Sequence, residues 1–283
     1  IRMLTNTQRI FMDTIALLAS SEAGVDEINF RSPFAYANVN GAFEYDKLPT
    51  ALMRYVNNYY KFQPVLDTSE IKDQQVKFTA QIKEHPFVKA FVPDLIAYDS
   101  MYISGKFTSA DTDSALSLVA KIPYLQYGEN IISRANIDVN SRNGKINYTA
   151  SVDTLQTTAL SFYGTRLSGA AAQDSLAIKV ITQDGKAKDW FALNADFFQE
   201  ENVFNFKLKD SLLLNYEEWT VATDNLISFG PYGLLVNNFS IKSDTASISA
   251  NSKEQRANSP IDVNIKNFNL KSISSLISGD TLF

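Results

Sequence analysis

Histidine, cysteine and converging carboxylates carry most proton-transfer and metal chemistry, and this chain offers few of them. It has one histidine and no cysteine in 283 residues. The histidine, His85, stands in Glu84-His85-Pro86. A carboxylate partner could make it a base, but no second histidine or thiol completes a triad or a metal site. The imidazole therefore reads as a surface or loop residue. Asp111-Thr112-Asp113 has the opening of a calcium loop without its glycine or its distal glutamate. Glu200-Glu201 and Glu217-Glu218 are adjacent pairs. Neighbours on a strand face opposite ways, so each pair marks a solvated strand end rather than a shared carboxylate site. Carboxylates from distant strands could still converge. A phosphate-binding loop, a dinucleotide glycine motif, a Gly-x-Ser-x-Gly elbow and a His-Glu-x-x-His motif are all absent. The expectation is a non-enzymatic chain with no cofactor and no metal.

Composition narrows the partners. The chain is 45% hydrophobic and 20% charged, enough for a sizeable core, and its net charge is −5. Phosphate binding needs a basic footprint, so nucleic acid is not an expected partner. The 19 Phe and 13 Tyr sit at strand spacing beside Leu and Ile. They read as core or groove lining, because stacking platforms for single-stranded nucleic acid would need basic neighbours. Asn147-Tyr148-Thr149 and Asn238-Phe239-Ser240 match the N-glycosylation pattern but fall within expected strands. No transmembrane run or signal peptide is present, and the sequence reads as an internal piece of a longer protein.

The elements that must position any site are strands. Val76 to Lys83 alternates apolar and polar residues in strict period two. The same pattern recurs at Ala135/Ile137/Val139, Ile146/Tyr148/Ala150/Val152, Leu176/Ile178/Val180, Phe204/Phe206/Leu208, Ala246/Ile248/Ala250 and Ile261/Val263/Ile265. Period two places all the apolar side chains of a strand on one face, the habit of antiparallel sheets with one dry face. Asn143-Gly144 and Asp184-Gly185 are expected type I′ hairpin turns. One short helix is expected near 46–60, with Pro49 in its first turn and Leu48, Leu52, Met53, Val56, Tyr59 and Tyr60 on one face. Asp followed by Ser or Thr and an apolar residue occurs eight times, the last four at intervals of 36, 34 and 36 residues, and Tyr-Gly occurs three times. Such periods suggest a stacked array. The expected fold is mainly β: antiparallel amphipathic strands in a long curled sheet, a groove or half-open barrel. A β-rich segment over 1–110 carries the helix and runs on into a repeated antiparallel segment over 111–283, the two forming one extended domain.

Several of these segments carry a family likeness. The residues are Leu208-Lys209-Asp210-Ser211-Leu212-Leu213-Leu214, Trp219-Thr220-Val221-Ala222-Thr223-Asp224-Asn225-Leu226-Ile227, Asn237-Asn238-Phe239-Ser240-Ile241, Pro260-Ile261-Asp262-Val263-Asn264-Ile265 and Phe268 to Leu276. The order is a Trp-x-Val-x-x-x-Asn strand, an Asn-Phe-x-Ile strand, and a closing strand that breaks into Leu-x-x-Ile-x-x-Leu. From about Ser151 to Phe283 the chain resembles the TamB branch of the AsmA-like family of Gram-negative envelope proteins, in its Bacteroidetes form. Gly105-Lys106-Phe107 and Ile122 to Gly128 extend the likeness more loosely into the first half. The resemblance implies an internal periplasmic segment of a protein anchored in the inner membrane. It also implies a long sheet with an oily groove, phospholipid or another acyl-chain ligand as cargo, and an outer-membrane barrel partner met through a C-terminal region outside this chain. The Asp-Ser/Thr triplets resemble the O-glycosylation signal of Bacteroidetes periplasmic proteins. Their acceptors would be Thr14, Ser100, Ser114, Thr154, Ser175, Ser211, Thr245 and Thr281. Alternatively, each Asp-Ser simply starts a strand after a turn.

Three readings follow. In the first, a lipid conduit, the groove is lined by Val76, Phe78, Ile82, Ile137, Val139, Ile146, Tyr148, Ile178, Val180, Phe204, Phe206, Leu208, Ile241, Ile248 and Val263. The second is a structural or assembly module whose sheets close over a dry core and whose edges pair with client strands. The third is a carbohydrate-active β-protein with a site assembled from scattered residues.

Overall fold

A computed structural model describes residues 2–4, 9–11, 14–61, 70–110, 113–158, 161–210 and 212–269. The chain is mainly β, and its strands from Ala16 onward pair antiparallel. A separate hairpin pairs β1 (Arg2–Leu4) with β2 (Arg9–Phe11). The chain divides into two compact units, residues 1–57 with 62–158, and residues 58–61 with 159–283. Among the described residues no helix is long and apolar enough to cross a membrane.

The first unit contains β3 (Ala16–Glu22), β4 (Val25–Arg31), β5 (Ala35–Ala42), α1 (Leu48–Asn57), β6 (Gln75–Ile82), α2 (Pro86–Phe91), β7 (Leu95–Tyr98), β8 (Met101–Thr108), β9 (Leu116–Tyr127), β10 (Asn130–Arg142) and β11 (Lys145–Gln156). Its sheet runs in the order β3, β4, β5, β6, β8, β9, β10, β11. The short β7 pairs with the far end of β9. Nearly every neighbour in space is a neighbour in sequence, as hairpin-by-hairpin growth produces.

The second unit contains β12 (Ser161–Ala172), β13 (Ser175–Gln183), β14 (Asp189–Glu200), β15 (Val203–Leu208), β16 (Leu212–Leu214), β17 (Glu217–Val221), β18 (Leu226–Gly230), β19 (Gly233–Asn237), β20 (Phe239–Lys242), β21 (Ser247–Ser252) and β22 (Ile261–Lys266). The sheet forks at β14. Ala195 to Glu200 pair with β15, which leads to β18 and β19. Phe191 and Ala192 pair with β16, which leads through β17 and β20 to β21 and β22. The core of this unit lies at the fork: Ala195, Leu208, Leu212, Trp219, Val221, Ile241 and Ala246 are buried together, and Phe206, Phe239, Ile248 and Phe268 pack against them.

Local details differ from the sequence expectations in three places. Asn143 and Gly144 both have positive φ, as a type I′ turn requires. At Asp184-Gly185, by contrast, the loop is longer: Ala187 takes the left-handed conformation, and Asp184 Oδ1 accepts from the amides of Lys186 and Lys188. The aspartate side chain organises the turn there, and the glycine does not occupy a left-handed position. The expected helix forms as α1 but buries Ala51 and Tyr55, while Leu52 and Met53 are exposed. It ends at Asn57, and Tyr59 and Tyr60 lie beyond it, buried. A second helix, α2, occupies the segment read as a loop around His85. That residue is its N-cap: Nδ1 accepts from the Phe87 amide at 3.1 Å, and Pro86 opens the first turn.

Candidate functional site

Cross-strand partners in an antiparallel sheet project to the same face, so register alone decides which side chains meet. In the first unit one row runs Ala19, Ile28, Val39, Phe78, Gly105, Leu118, Val139, Tyr148 across eight strands. The adjoining row runs Leu17, Phe30, Ala37, Ala80, Ile103, Ala120, Ile137, Ala150. Neither row contains a charge. Seven successive strand spacings make the apolar band roughly 34 Å wide.

Burial along this face changes with distance from α1. Tyr55 of α1 meets Phe107 edge-on, with ring centroids 5.6 Å apart. At this end of the strands Val76, Phe107 and Ile146 are at most 6% exposed. One row further on, Phe78, Val139 and Tyr148 are half-buried. Beyond them Ile82, Ile103 and Ile137 are 37–41% exposed. Tyr55 thus covers the face at Phe107, and among the described residues exposure rises along the rows away from it. At the opposite strand ends Phe34 stacks on Phe87 of α2 at 4.5 Å. Tyr98 is buried there, donating to the Lys83 carbonyl at 2.8 Å and accepting from the His85 amide at 2.9 Å. Burial raises the Tyr98 and Tyr148 phenols above their ordinary range.

The floor of the band is set at Gly105. A Cβ there would lie 2.8 Å from the Phe78 ring and 2.7 Å from the Ser117 carbonyl. The ring of Phe78 therefore lies down across its glycine partner instead of standing out of the sheet. At Gly41 a Cβ would collide with the Gln75 carbonyl oxygen.

In the second unit the register likewise places the predicted positions on one face. Ile178, Ala195 and Leu208 form one row, and Leu176, Phe197, Phe206, Ile227 and Val236 form another. Ile241, Ile248 and Ile265 form a third. Their surroundings differ from those in the first unit. Leu208 and Ile241 are buried in the Trp219 cluster, with Phe206 and Ile248 packed on it. They offer an occupant little surface. Ile178 and Val180 are half-buried, and Phe204 belongs to an aromatic group with Phe197 and Phe229. Val263, on β22, is exposed.

Sequence reasoning missed the buried polar side chains that complete strand ends. Asn225 is 1% exposed: its Oδ1 accepts from the Leu208 amide at 2.9 Å, and its Nδ2 donates to the Leu208 carbonyl at 2.8 Å. One amide side chain thus takes the place of a strand partner. Ser141 does the same for Leu116, accepting from its amide at 2.9 Å. Ser252 accepts from the Val236 amide at 3.0 Å. The signal for Asn225 was its place in Trp219-x-Val221-x-x-x-Asn225. Trp219 and Val221 of that motif fill the core.

The triplet hydroxyls fall in two settings. Ser100, Ser114 and Thr245 are exposed in turns just before β8, β9 and β21, Ser175 opens β13, and Thr14 is exposed ahead of β3. Thr154 lies within β11 opposite Ser133. Ser211 and Thr281 lie outside the described residues, as does most of Asp111-Thr112-Asp113. No family model, curated protein or solved structure matches the chain.

Proposed function

We propose that this chain is a non-enzymatic segment of an envelope-spanning protein of the AsmA-like, TamB type, and that it holds phospholipid acyl chains along the open apolar face of its sheet in the periplasm. The observation that carries this reading is the pair of uncharged rows in the first unit, whose residues become more exposed among the described residues with distance from the Tyr55–Phe107 contact. Covering such a face with an acyl chain gains up to ~0.8 kcal/mol per buried methylene. The polar headgroup stays at the open margin, where its hydration costs nothing. Support for outer-membrane assembly, through a barrel partner and a region outside this chain, belongs to the same reading.

A second reading has its own observation. The Trp219 cluster is a closed core at the fork of the second unit, as expected of a structural module that pairs with client proteins. The two readings separate by position. The chain would be purified from a membrane-containing lysate, extracted with organic solvent and assayed for phospholipid, with native mass spectrometry for stoichiometry. The conduit reading expects bound phospholipid. It also expects Ile137→Asp to remove that lipid without unfolding the sheet, because the residue is already 40% exposed. A lipid-free chain, or lipid retained in full by the variant, overturns the conduit in favour of the module.

A further inference from the structure

The polar face of the first unit, opposite the apolar rows, holds an open hollow of about 470 Å³. Lys77 of β6 and Lys106 of β8 line it and are direct cross-strand partners. Like charges set opposite each other within a sheet are destabilising. Neither ammonium has a hydrogen-bond or ion-pair partner among the described residues. Glu27, the carboxylate of the hollow, is already engaged: it accepts from the side-chain amides of Asn29 at 2.8 Å and of Asn38, another lining residue, at 3.2 Å. The row Glu27, Asn40, Lys77, Lys106 sets Asn40 between Glu27 and the first lysine, so Glu27 is about 10 Å away across two strand spacings.

Apart from Phe78 and Gly105, the rest of the lining consists of neutral residues with hydrogen-bonding side chains. Asn40, Thr79, Ser104 and Ser117 line the hollow, and their side chains make no hydrogen bonds among the described residues. The phenol ring of Tyr102 adds a flat apolar surface with a polar tip. Elsewhere on this face polar side chains are satisfied, as where Asn140 donates to the Asp138 carboxylate at 2.9 Å and Asn136 to the Arg134 backbone carbonyl at 3.2 Å.

We propose that the hollow binds an anionic saccharide, a hexuronate or a hexose phosphate. Its acidic group bridges Lys77 and Lys106, its hydroxyls meet Asn40, Thr79 and Ser104, and its ring lies against Tyr102. One anion between the two ammonium groups turns a repulsion into two charge-assisted hydrogen bonds. The hydroxyl and amide lining suits a polyol, and a few convergent polar groups in a hollow of this size are what orient a small ligand. Binding here is independent of lipid, since the apolar rows lie on the other face.

The test is calorimetric titration of the intact 283-residue chain with galacturonate, glucuronate and glucose 6-phosphate, with galactose, glucose and inorganic phosphate as controls. At least one acidic sugar should bind tenfold or more tightly than its neutral counterpart and than phosphate. Lys77→Gln and Lys106→Gln should each weaken it at least tenfold. Both variants should stay folded with undiminished thermal stability, because each removes a repulsion. Failure of all three acidic sugars to bind, or full binding by both variants, overturns the proposal. Phosphate binding as tightly as glucose 6-phosphate also overturns it, by reducing the hollow to a bare anion site.

Discussion

Asn225 does at the scale of one residue what a strand does at the scale of an element. β15 ends at Leu208, which still pairs with Ala195 of β14 but lies beyond the last β18 partner, at Phe206. The Asn225 amide supplies both an acceptor and a donor at that point, and its Nδ2 also reaches the Ala222 carbonyl. Buried peptide groups left unpaired cost ~1–3 kcal/mol each. Asn225→Ala is therefore expected to destabilise the chain by about 2–4 kcal/mol, because two groups of Leu208 are orphaned at once. Asn225→Asp should do no better at neutral pH, since it keeps the acceptor but turns a carboxylate toward two carbonyls. Urea unfolding checks both, read as a lower midpoint at unchanged slope. A loss under ~0.5 kcal/mol would show that water or backbone adjustment replaces the amide. No period-two reading finds such a residue, because it stands outside the strands it completes. Its legible trace was the spacing from Trp219 and Val221.

At the scale of elements, strands were far more legible than turns. Alternation located β6, β10, β11, β13, β15, β21 and β22, because one dry face imposes period two on sequence. It missed β18 and β19, which are five residues each and too short to show a period, and also the longer β4, β5 and β12. Asn143-Gly144 announced its turn, whereas Gln173-Asp174 and Asn215-Tyr216 adopt paired positive φ with no glycine at all. Other contacts support the second of these turns. Tyr216 donates to Asp184 Oδ2 at 2.7 Å, Lys188 lies 4.7 Å from its ring centroid, and the Trp190 indole donates to Asn215 at 2.9 Å. Hydrogen bonds from the Lys188 amide and from Tyr216 hold the Asp184 carboxyl below its usual range, while burial and Asp184 push Tyr216 up to about 12. The folded state thus favours ionised Asp184 and neutral Tyr216. The stability Asp184 contributes is present above its unfolded-state pKa and is lost as pH falls through the lowered folded-state value. The contribution of Tyr216 is present below about pH 10 and is lost as pH rises toward 12. Asp184→Ala should accordingly be less stable than the parent near neutrality, with a gap that narrows at both extremes. Thermal melts across pH would show this, and a gap constant from about pH 3 to about pH 8 would exclude the ionised contact as its source.

At the scale of the molecule, the proposed conduit sets two demands on the apolar face: a sheet that stays folded and an apolar surface that stays available. The chain meets them in different places. The fork of the second unit is closed around Trp219, and the first unit is anchored where Tyr55 meets Phe107, while the rows from Phe78 outward remain open. Alternation announced the apolar face of both units with equal strength. It could not announce which parts would be covered, because that depends on where α1 docks and where the sheet forks, both long-range events. An open face makes one further quantitative demand on the conduit reading. If acyl chains lie along the rows, affinity should climb with each added methylene. Full burial of a methylene at ~0.8 kcal/mol corresponds to about fourfold, and half-burial against an open floor to about twofold. Titration with saturated fatty acids from eight to sixteen carbons, below their critical micelle concentrations, is expected to show that rise. Phe78→Ala should flatten it by removing the ring that covers Gly105. An affinity independent of chain length would mean that the headgroup alone is bound, and the rows would then serve only to fold the sheet.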